Sequence, residues 1–393
     1  MINQNKATII NYKKKMVKFT IKIILLTLLS CPAFAIDTKA EQAIVIDFDT
    51  NEILFEKKSN VRVIPASMTK IMTVYVAFDR IKNTNFAITN KCRISPKAYK
   101  MGGSRTFLEI DDQVSVDDLL KGIIVQSGND ASIALAECLG GTEEDFSKLM
   151  NVYAEKLGLI NTNFINSSGW PEDNHYSTVY DLAIISNALI KNFPNLYEYF
   201  KMKDFTYNDI TQPNRNKLLE SVNGADGLKT GFTKKSGWGI AATAIRNKRR
   251  VTVVINGTNS SRSRLNEATN LINWAFNQTS QKTLVNKNQF IKSVDVWLGV
   301  EPTINLVSAE KIVSTLSFDQ IQLMNSSIEY IKPLEAPIIK DNVYGKLYIN
   351  IEGKPIIEVP LIAEKNVSKV NPFIKIFAAI KYLLFGASLD EKN

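Results

Sequence analysis

Residues 228–255, LKTGFTKKSGWGIAATAIRNKRRVTVVI, read as three strands joined by two tight turns. Leu228–Thr233, Trp238–Ile245 and Val251–Ile255 are rich in β-branched, aromatic and small apolar residues, while Lys234–Gly237 and Asn247–Arg249 carry turn chemistry. Arg264–Phe276 follows with helical periodicity. Working back to the start of the chain, Ala43–Phe48 and Ile53–Phe55 form a further hairpin around Asp49-Thr50-Asn51. Between the two strand groups lie helical segments: Ser67–Ile81 behind Pro65, Val116–Val125, Asn129–Leu139, and two helices opened by caps at Thr142 (with Asp145) and Thr178 (with Asp181). Strands at both ends and helices in the middle predict an α+β fold, with helices packed on an antiparallel sheet.

Beyond residue 283 short Val- and Ile-rich runs alternate with turns at Asn286-Lys287-Asn288, Gly299, Asn325-Ser326-Ser327, Asp341-Asn342 and Gly353-Lys354, predicting a small all-β domain over 283–365. The chain's 393 residues carry a net charge of +9, as a nucleic-acid binder would, but the excess sits at the ends. Residues 1–35 hold six of the 48 basic residues and no acid, leaving 42 against 39. That distribution argues for membranes and against nucleic acid. Lysines, the apolar run Ile23–Leu29 and Ala33-Phe34-Ala35 make residues 1–35 a secretory signal, complete even from Met16; a rival reading has Leu28-Leu29-Ser30 ahead of a lipidated Cys31. Residues 369–388, around FIKIFAAIKYLLF, predict an amphipathic helix suited to lying in a membrane interface, with docking on its own domain as the alternative. Cys92 and Cys138 remain after export, and both are expected to be free, Cys138 as a small core residue in an alanine-rich helix.

His175 is the one histidine, so a multi-histidine zinc site is excluded; it sits in a loop with no G-x-S-x-G elbow and reads as structural. No phosphate-cradling glycine motif opens a helix. What remains needs no histidine. In Ser67-Met68-Thr69-Lys70, hydroxyl and amine three residues apart share a helix face at the N-terminus. A serine beside a neutral amine is an activated nucleophile. Lowering a lysine by about three units from its free value of about 10.4 takes roughly 4 kcal/mol of environment, supplied by burial and a second cation. Taken singly, such motifs are weak. Ser308-Ala309-Glu310-Lys311 repeats the first and reads as surface, Ser221-Val222-Asn223 echoes Ser127-Gly128-Asn129, and Lys235-Ser236-Gly237 echoes Lys229-Thr230-Gly231. Order and setting distinguish the real set: Ser67 opens a helix, Ser127 lies between helices, and Lys229 lies on a strand.

These three elements, with VDDLLKGIIVQSGNDASIALAE, NHYSTVYDLA, GADGLKTGFT and SRSRLNEATNLINWAF, resemble the low-molecular-mass D-alanyl-D-alanine carboxypeptidases of the penicillin-binding protein and serine β-lactamase superfamily. The resemblance covers residues 40–280 and extends through the β domain and tail. It implies a DD-peptidase catalytic domain over 36–280, acylation of Ser67 by a peptidoglycan stem peptide ending in D-Ala-D-Ala, and acylation by β-lactams. It further implies Lys70 as base, Ser127 as proton donor to the leaving group, and Asn129 as a hydrogen bonder of the peptide. Lys229, Thr230, Gly231 and Arg264 would bind the terminal carboxylate region, with Lys229 helping to keep Lys70 neutral, and the backbone N–H groups of Ser67 and Phe232 would form the oxyanion hole. Phe232 stands where relatives often carry histidine. No metal or cofactor is implied, and the expected place is the periplasmic face of the inner membrane. Arg262 competes with Arg264, and Asp130 reads as a helix N-terminal charge. The alternatives are a β-lactamase, for which no E-x-x-L-N occurs between Asn129 and Lys229, and a non-catalytic wall-binding or penicillin-sensing protein, although all motif residues are present.

Overall fold

A computed structural model describes residues 36–371 together with Ile376 and Ile380. The expected leader (1–35) and nearly all of the tail beyond 371 lie outside the described residues; Ile376 and Ile380 are helical and exposed. The described chain begins with β1 (Gln42–Asp47) and β2 (Ile53–Lys57), and a 3-10 turn (Ala66–Thr69) leads into α1 (Lys70–Asn83). A small ribbon, β3 (Lys91–Arg93) with β4 (Gln113–Ser115), encloses α2 (Pro96–Lys100). Next come α3 (Val116–Lys121), α4 (Asn129–Gly140), α5 (Glu143–Lys156) and α6 (Val179–Asn192). A second ribbon, β5 (Asp204–Tyr207) with β6 (Ile210–Pro213), and the short α7 (Leu218–Ser221) precede β7 (Ala225–Thr233), β8 (Gly237–Arg246), β9 (Arg249–Thr258) and α8 (Ser261–Gln278).

The main sheet has the order β2-β1-β9-β8-β7 and is antiparallel throughout. Its central strands are buried on both sides, which is why they read as continuous apolar runs. On β9, Thr252 bonds Asn187 of α6 at 2.6 Å and Val254 joins the helical core, so one face carries the helical layer while α8 covers the other. Thr142 and Thr178 cap α5 and α6 as expected, each accepting a backbone N–H three residues on, from Asp145 and Asp181, at 3.0 Å. β7 is left as the edge strand beside the turn that opens α1.

Two sequence expectations are overturned. Cys92 on β3 and Cys138 on α4 are joined by a disulfide, with Cα atoms 5.5 Å apart across 46 residues of sequence. The helix that makes Cys138 look like a plain core residue lies directly against β3, within bridging distance. The helix expected over Val116–Val125 also changes geometry, ending at Lys121 and widening into a π turn over Gly122–Gln126.

The C-terminal region has a separate apolar core. β10 (Thr279–Val285), β11 (Phe290–Trp297), β12 (Thr303–Ser308) and β13 (Ile312–Ser317) precede a one-turn helix α9 (Phe318–Leu323) that the all-β reading did not foresee. β14 (Asn325–Tyr330), β15 (Leu334–Glu335), β16 (Val343–Asn350) and β17 (Ile357–Ala363) complete a six-stranded sheet, β14-β16-β17-β12-β11-β15, beside the pair β10-β13. Glu52 after the β1–β2 turn joins this region to the main sheet by accepting from Ser314 Oγ (2.6 Å) and pairing with Lys354 (2.9 Å).

Candidate active site

Ser67 lies in the 3-10 turn, three residues ahead of Lys70, the first residue of α1. In a 3-10 turn residues i and i+3 eclipse, so the amine is brought over the hydroxyl. Lys70 Nζ stands 3.1 Å from Ser67 Oγ, 2.7 Å from Asn129 Oδ1 and 2.6 Å from the Ser168 carbonyl. The last two partners only accept, so a neutral amine gives them its two N–H bonds and keeps its lone pair for the serine O–H. Lys70 is 0% exposed, and burial lowers its pKa to about 7; the Arg215 charge pushes the same way, while Asp130 and Glu143 oppose both. Burial, with Arg215, thus does the lowering that the sequence reading assigned in part to the strand cation. Lys229 is itself buried and held well below the ordinary amine range, first by burial and then by Lys70, Arg215 and Arg264.

The second element is set by an unusual backbone. After the π turn, Ser127 adopts a left-handed conformation (φ 68°, ψ 32°), a form of local strain that clusters at functional sites. Its Oγ is buried and has no hydrogen-bond partner among the described residues. Gly128 follows because nothing larger fits: a Cβ there would meet Thr106 Oγ1 at 2.2 Å. Asn129 spans the site, accepting from Lys70 and donating through Nδ2 to the Gly102 carbonyl at 2.8 Å, which leaves one amide N–H uncommitted. Asp130, read from sequence as a helix-start charge, does more. Fully buried, it accepts the backbone N–H groups of Thr106 (2.9 Å), Phe107 (3.0 Å) and Ala131 (2.9 Å) and so pins the 102–108 loop across the Ser127 turn.

The third element is β7. Gly231 lets this strand close on the nucleophile turn, since a Cβ there would lie 2.9 Å from the Pro65 carbonyl oxygen. Alternation along the strand puts Lys229 on that same face. Thr230 turns the other way and lines a small cavity with Arg264 and Ile240. Arg264 is buried with its guanidinium over Trp238 (5.2 Å), whereas Arg262 is exposed. Burial and the Arg215 charge lower the Arg264 pKa to about 10. Phe232 is 47% exposed and packs against Trp238 with ring centroids 4.1 Å apart. Arg215, which no motif flags, bonds the Val125 and Gln126 carbonyls through its N–H and Nε (3.2 Å each), just ahead of Ser127.

Residues 30–260 match the family described as D-alanyl-D-alanine carboxypeptidase, and residues 280–369 match the C-terminal domain of penicillin-binding protein 5. The chain belongs to the D-alanyl-D-alanine carboxypeptidase family. It is 37% identical over 342 residues to D-alanyl-D-alanine carboxypeptidase DacC of Escherichia coli K12, covering 85% of this chain and 86% of the relative. Among solved structures it resembles D-alanyl-D-alanine carboxypeptidase DacD of Francisella tularensis (TM-score 0.75, 30% identity, 85% and 95% of the two chains). It also resembles penicillin-binding protein 5 of Haemophilus influenzae (TM-score 0.72, 32% identity, 86% and 100%).

The other residues weighed from sequence fall outside this carboxypeptidase-family cleft or play supporting parts. His175 is buried under the nucleophile turn, with Nε2 2.9 Å from Thr69 Oγ1 and Nδ1 accepting from Ile165 N–H; burial lowers its pKa to about 4. Lys235 lies exposed in the β7–β8 turn and Ser221 is exposed at the end of α7. Ser308 corrects an expectation, because it is 0% exposed, its Oγ donating to the Glu310 carbonyl (2.6 Å), and only Lys311 of that pair is at the surface. Ser308 ends the β strand Thr303–Ser308, which turns it inward.

Proposed function

We propose that this chain is a serine-type D-Ala-D-Ala carboxypeptidase that removes the terminal D-alanine from peptidoglycan stem peptides through an acyl-enzyme on Ser67. Lys70 takes the Ser67 hydroxyl proton as Oγ bonds to the scissile carbonyl carbon. The backbone N–H groups of Ser67 and Phe232 stabilise the resulting oxyanion. Ser127 passes a proton to the departing D-alanine nitrogen as the C–N bond breaks, and water then releases the shortened peptide. Asn129 orients Lys70 and offers its remaining N–H to the bound peptide. Thr230 and Arg264, which line one small cavity, bind the terminal carboxylate, and Lys229 on the opposite face of the strand attracts it by charge, with Gly231 keeping the strand close to the serine.

The observation that carries this reading is the buried Lys70 amine, whose two hard acceptors leave its lone pair directed at Ser67. A fluorescent penicillin should label the wild-type chain and not Ser67→Ala, and the wild-type chain should release D-alanine from a pentapeptide. Labelling of Ser67→Ala, or penicillin hydrolysis without D-alanine release, contradicts the proposal.

Export is part of the same proposal. The leader read over residues 1–35 and the Cys92–Cys138 disulfide, a bond suited to an oxidising compartment, both support it. Residues 36–280 would be the catalytic domain, 283–365 a spacer that lifts it from the inner membrane, and 369–388 the anchoring helix. No helix among the described residues is long and apolar enough to cross a membrane. A chain cut before Pro372 should lose its association with membranes; sedimentation with them regardless contradicts the anchor.

A further inference from the structure

A groove of about 730 Å³ runs from the segment just ahead of the nucleophile, at Val63 and Ile64, to the β7–β8 turn. Its wall on the active-site side is the Phe232 ring, 47% exposed and packed on Trp238, which also lines the groove. Its rim carries three cations, Arg62, Lys234 and Lys235, against one acid, Glu41. That ratio is unlike residues 36–368 as a whole, where bases and acids nearly balance. Lys234 and Lys235 are exposed, and among the described residues neither has a hydrogen-bond or ion-pair partner. Arg62 is held in place, its Nε 3.3 Å from Asn161 Oδ1 and its guanidinium over the Tyr176 ring at 4.3 Å. Because β7 is an edge strand, an extended peptide reaching Ser67 can continue alongside it toward this turn.

We infer that the groove binds the part of the stem peptide upstream of the scissile bond through a second carboxylate carried there, with Arg62, Lys234 and Lys235 as counter-charges and Phe232 as the apolar wall. This rests on the carboxypeptidase reading and adds a selectivity to it: acidic stem peptides are preferred over neutral ones. Lys234 and Lys235 contact the remote part of the substrate and not the reacting bond, so their contribution lies in KM and association rate.

The test compares two pentapeptides ending in D-Ala-D-Ala, one with a free upstream side-chain carboxylate and one with that group amidated, on the full chain. The wild-type enzyme should show a KM about tenfold lower for the acidic peptide at low salt, and the gap should close in high salt as surface charges are screened. The double variant K234E/K235E should abolish the gap by raising only the acidic peptide's KM, with kcat and the penicillin acylation rate unchanged. Equal KM values in the wild type, or a variant that affects both peptides alike, overturns the inference while D-alanine release still supports the carboxypeptidase reading. Release of D-alanine from neither peptide overturns the carboxypeptidase reading, and the inference with it.

Discussion

The chain contains two Ser-x-x-Lys segments whose burial is inverted. At Ser67–Lys70 the serine is half-buried and open to the cleft while the lysine is 0% exposed; at Ser308–Lys311 the serine is 0% exposed and the lysine stands in solvent. The same four-residue pattern therefore buries its amine in one region and leaves it in solvent at an ordinary strand end in the other. What separates them is where the amine sits, since only a desolvated ammonium gives up its proton near neutral pH. The contrast extends to the two regions as wholes. Lys70, Lys229, Arg264, Asp130 and Glu143 are all buried in the N-terminal region, whereas among the described residues beyond Thr279 the buried polar ones are Ser308, Ser314 and Thr315, none of them charged.

The largest expected difference follows directly. Lys70→Ala should slow acylation by a fluorescent penicillin by about 10²- to 10⁴-fold, the usual worth of a positioned general base, while Lys311→Ala should leave it within about twofold. Comparable losses in both variants would erase the distinction. Next in size is the Cys92–Cys138 bridge, which closes a loop spanning 46 residues in the N-terminal region, while the C-terminal region holds no cysteine. Replacing both cysteines by serine should cost about 4 kcal/mol on the chain-entropy account, seen as a lower urea midpoint for the N-terminal region and an unchanged one for the β region. A shift in neither shows the bridge to be idle. Smallest, Ser308→Ala should cost about 1 kcal/mol for its lost hydrogen bond and leave acylation untouched; slower acylation would mean the second segment reaches the chemistry.

Much of this was legible in the residues. The β7–β9 meander and α8 declare themselves through apolar runs between turns, and the three motif segments through their order. Other features depend on contacts that no local pattern encodes. The β3–β4 and β5–β6 ribbons have strands of three or four residues, too short to alternate visibly. The disulfide depends on a helix and a strand meeting from distant positions. Asp130 is identical on paper whether it decorates a helix start or holds four backbone N–H groups. Arg215, in the polar run Asn214-Arg215-Asn216-Lys217, gains meaning only because the second ribbon carries it to the Ser127 turn. The strand cation expected to lower Lys70 is instead a group that Lys70 lowers, while burial and Arg215 are what bring Lys70 down.

The claim that Lys70 works as a neutral amine is tested most directly by the pH dependence of Ser67 acylation. The amine must be unprotonated to accept the serine proton, so with a pKa of about 7 the rate should be level above that pH. Below it the rate should fall about tenfold per pH unit, with Lys311→Ala tracing the same curve. A rate that stays flat from pH 5 to 9, or keeps climbing toward the ordinary lysine range, would show that this buried amine is not the base.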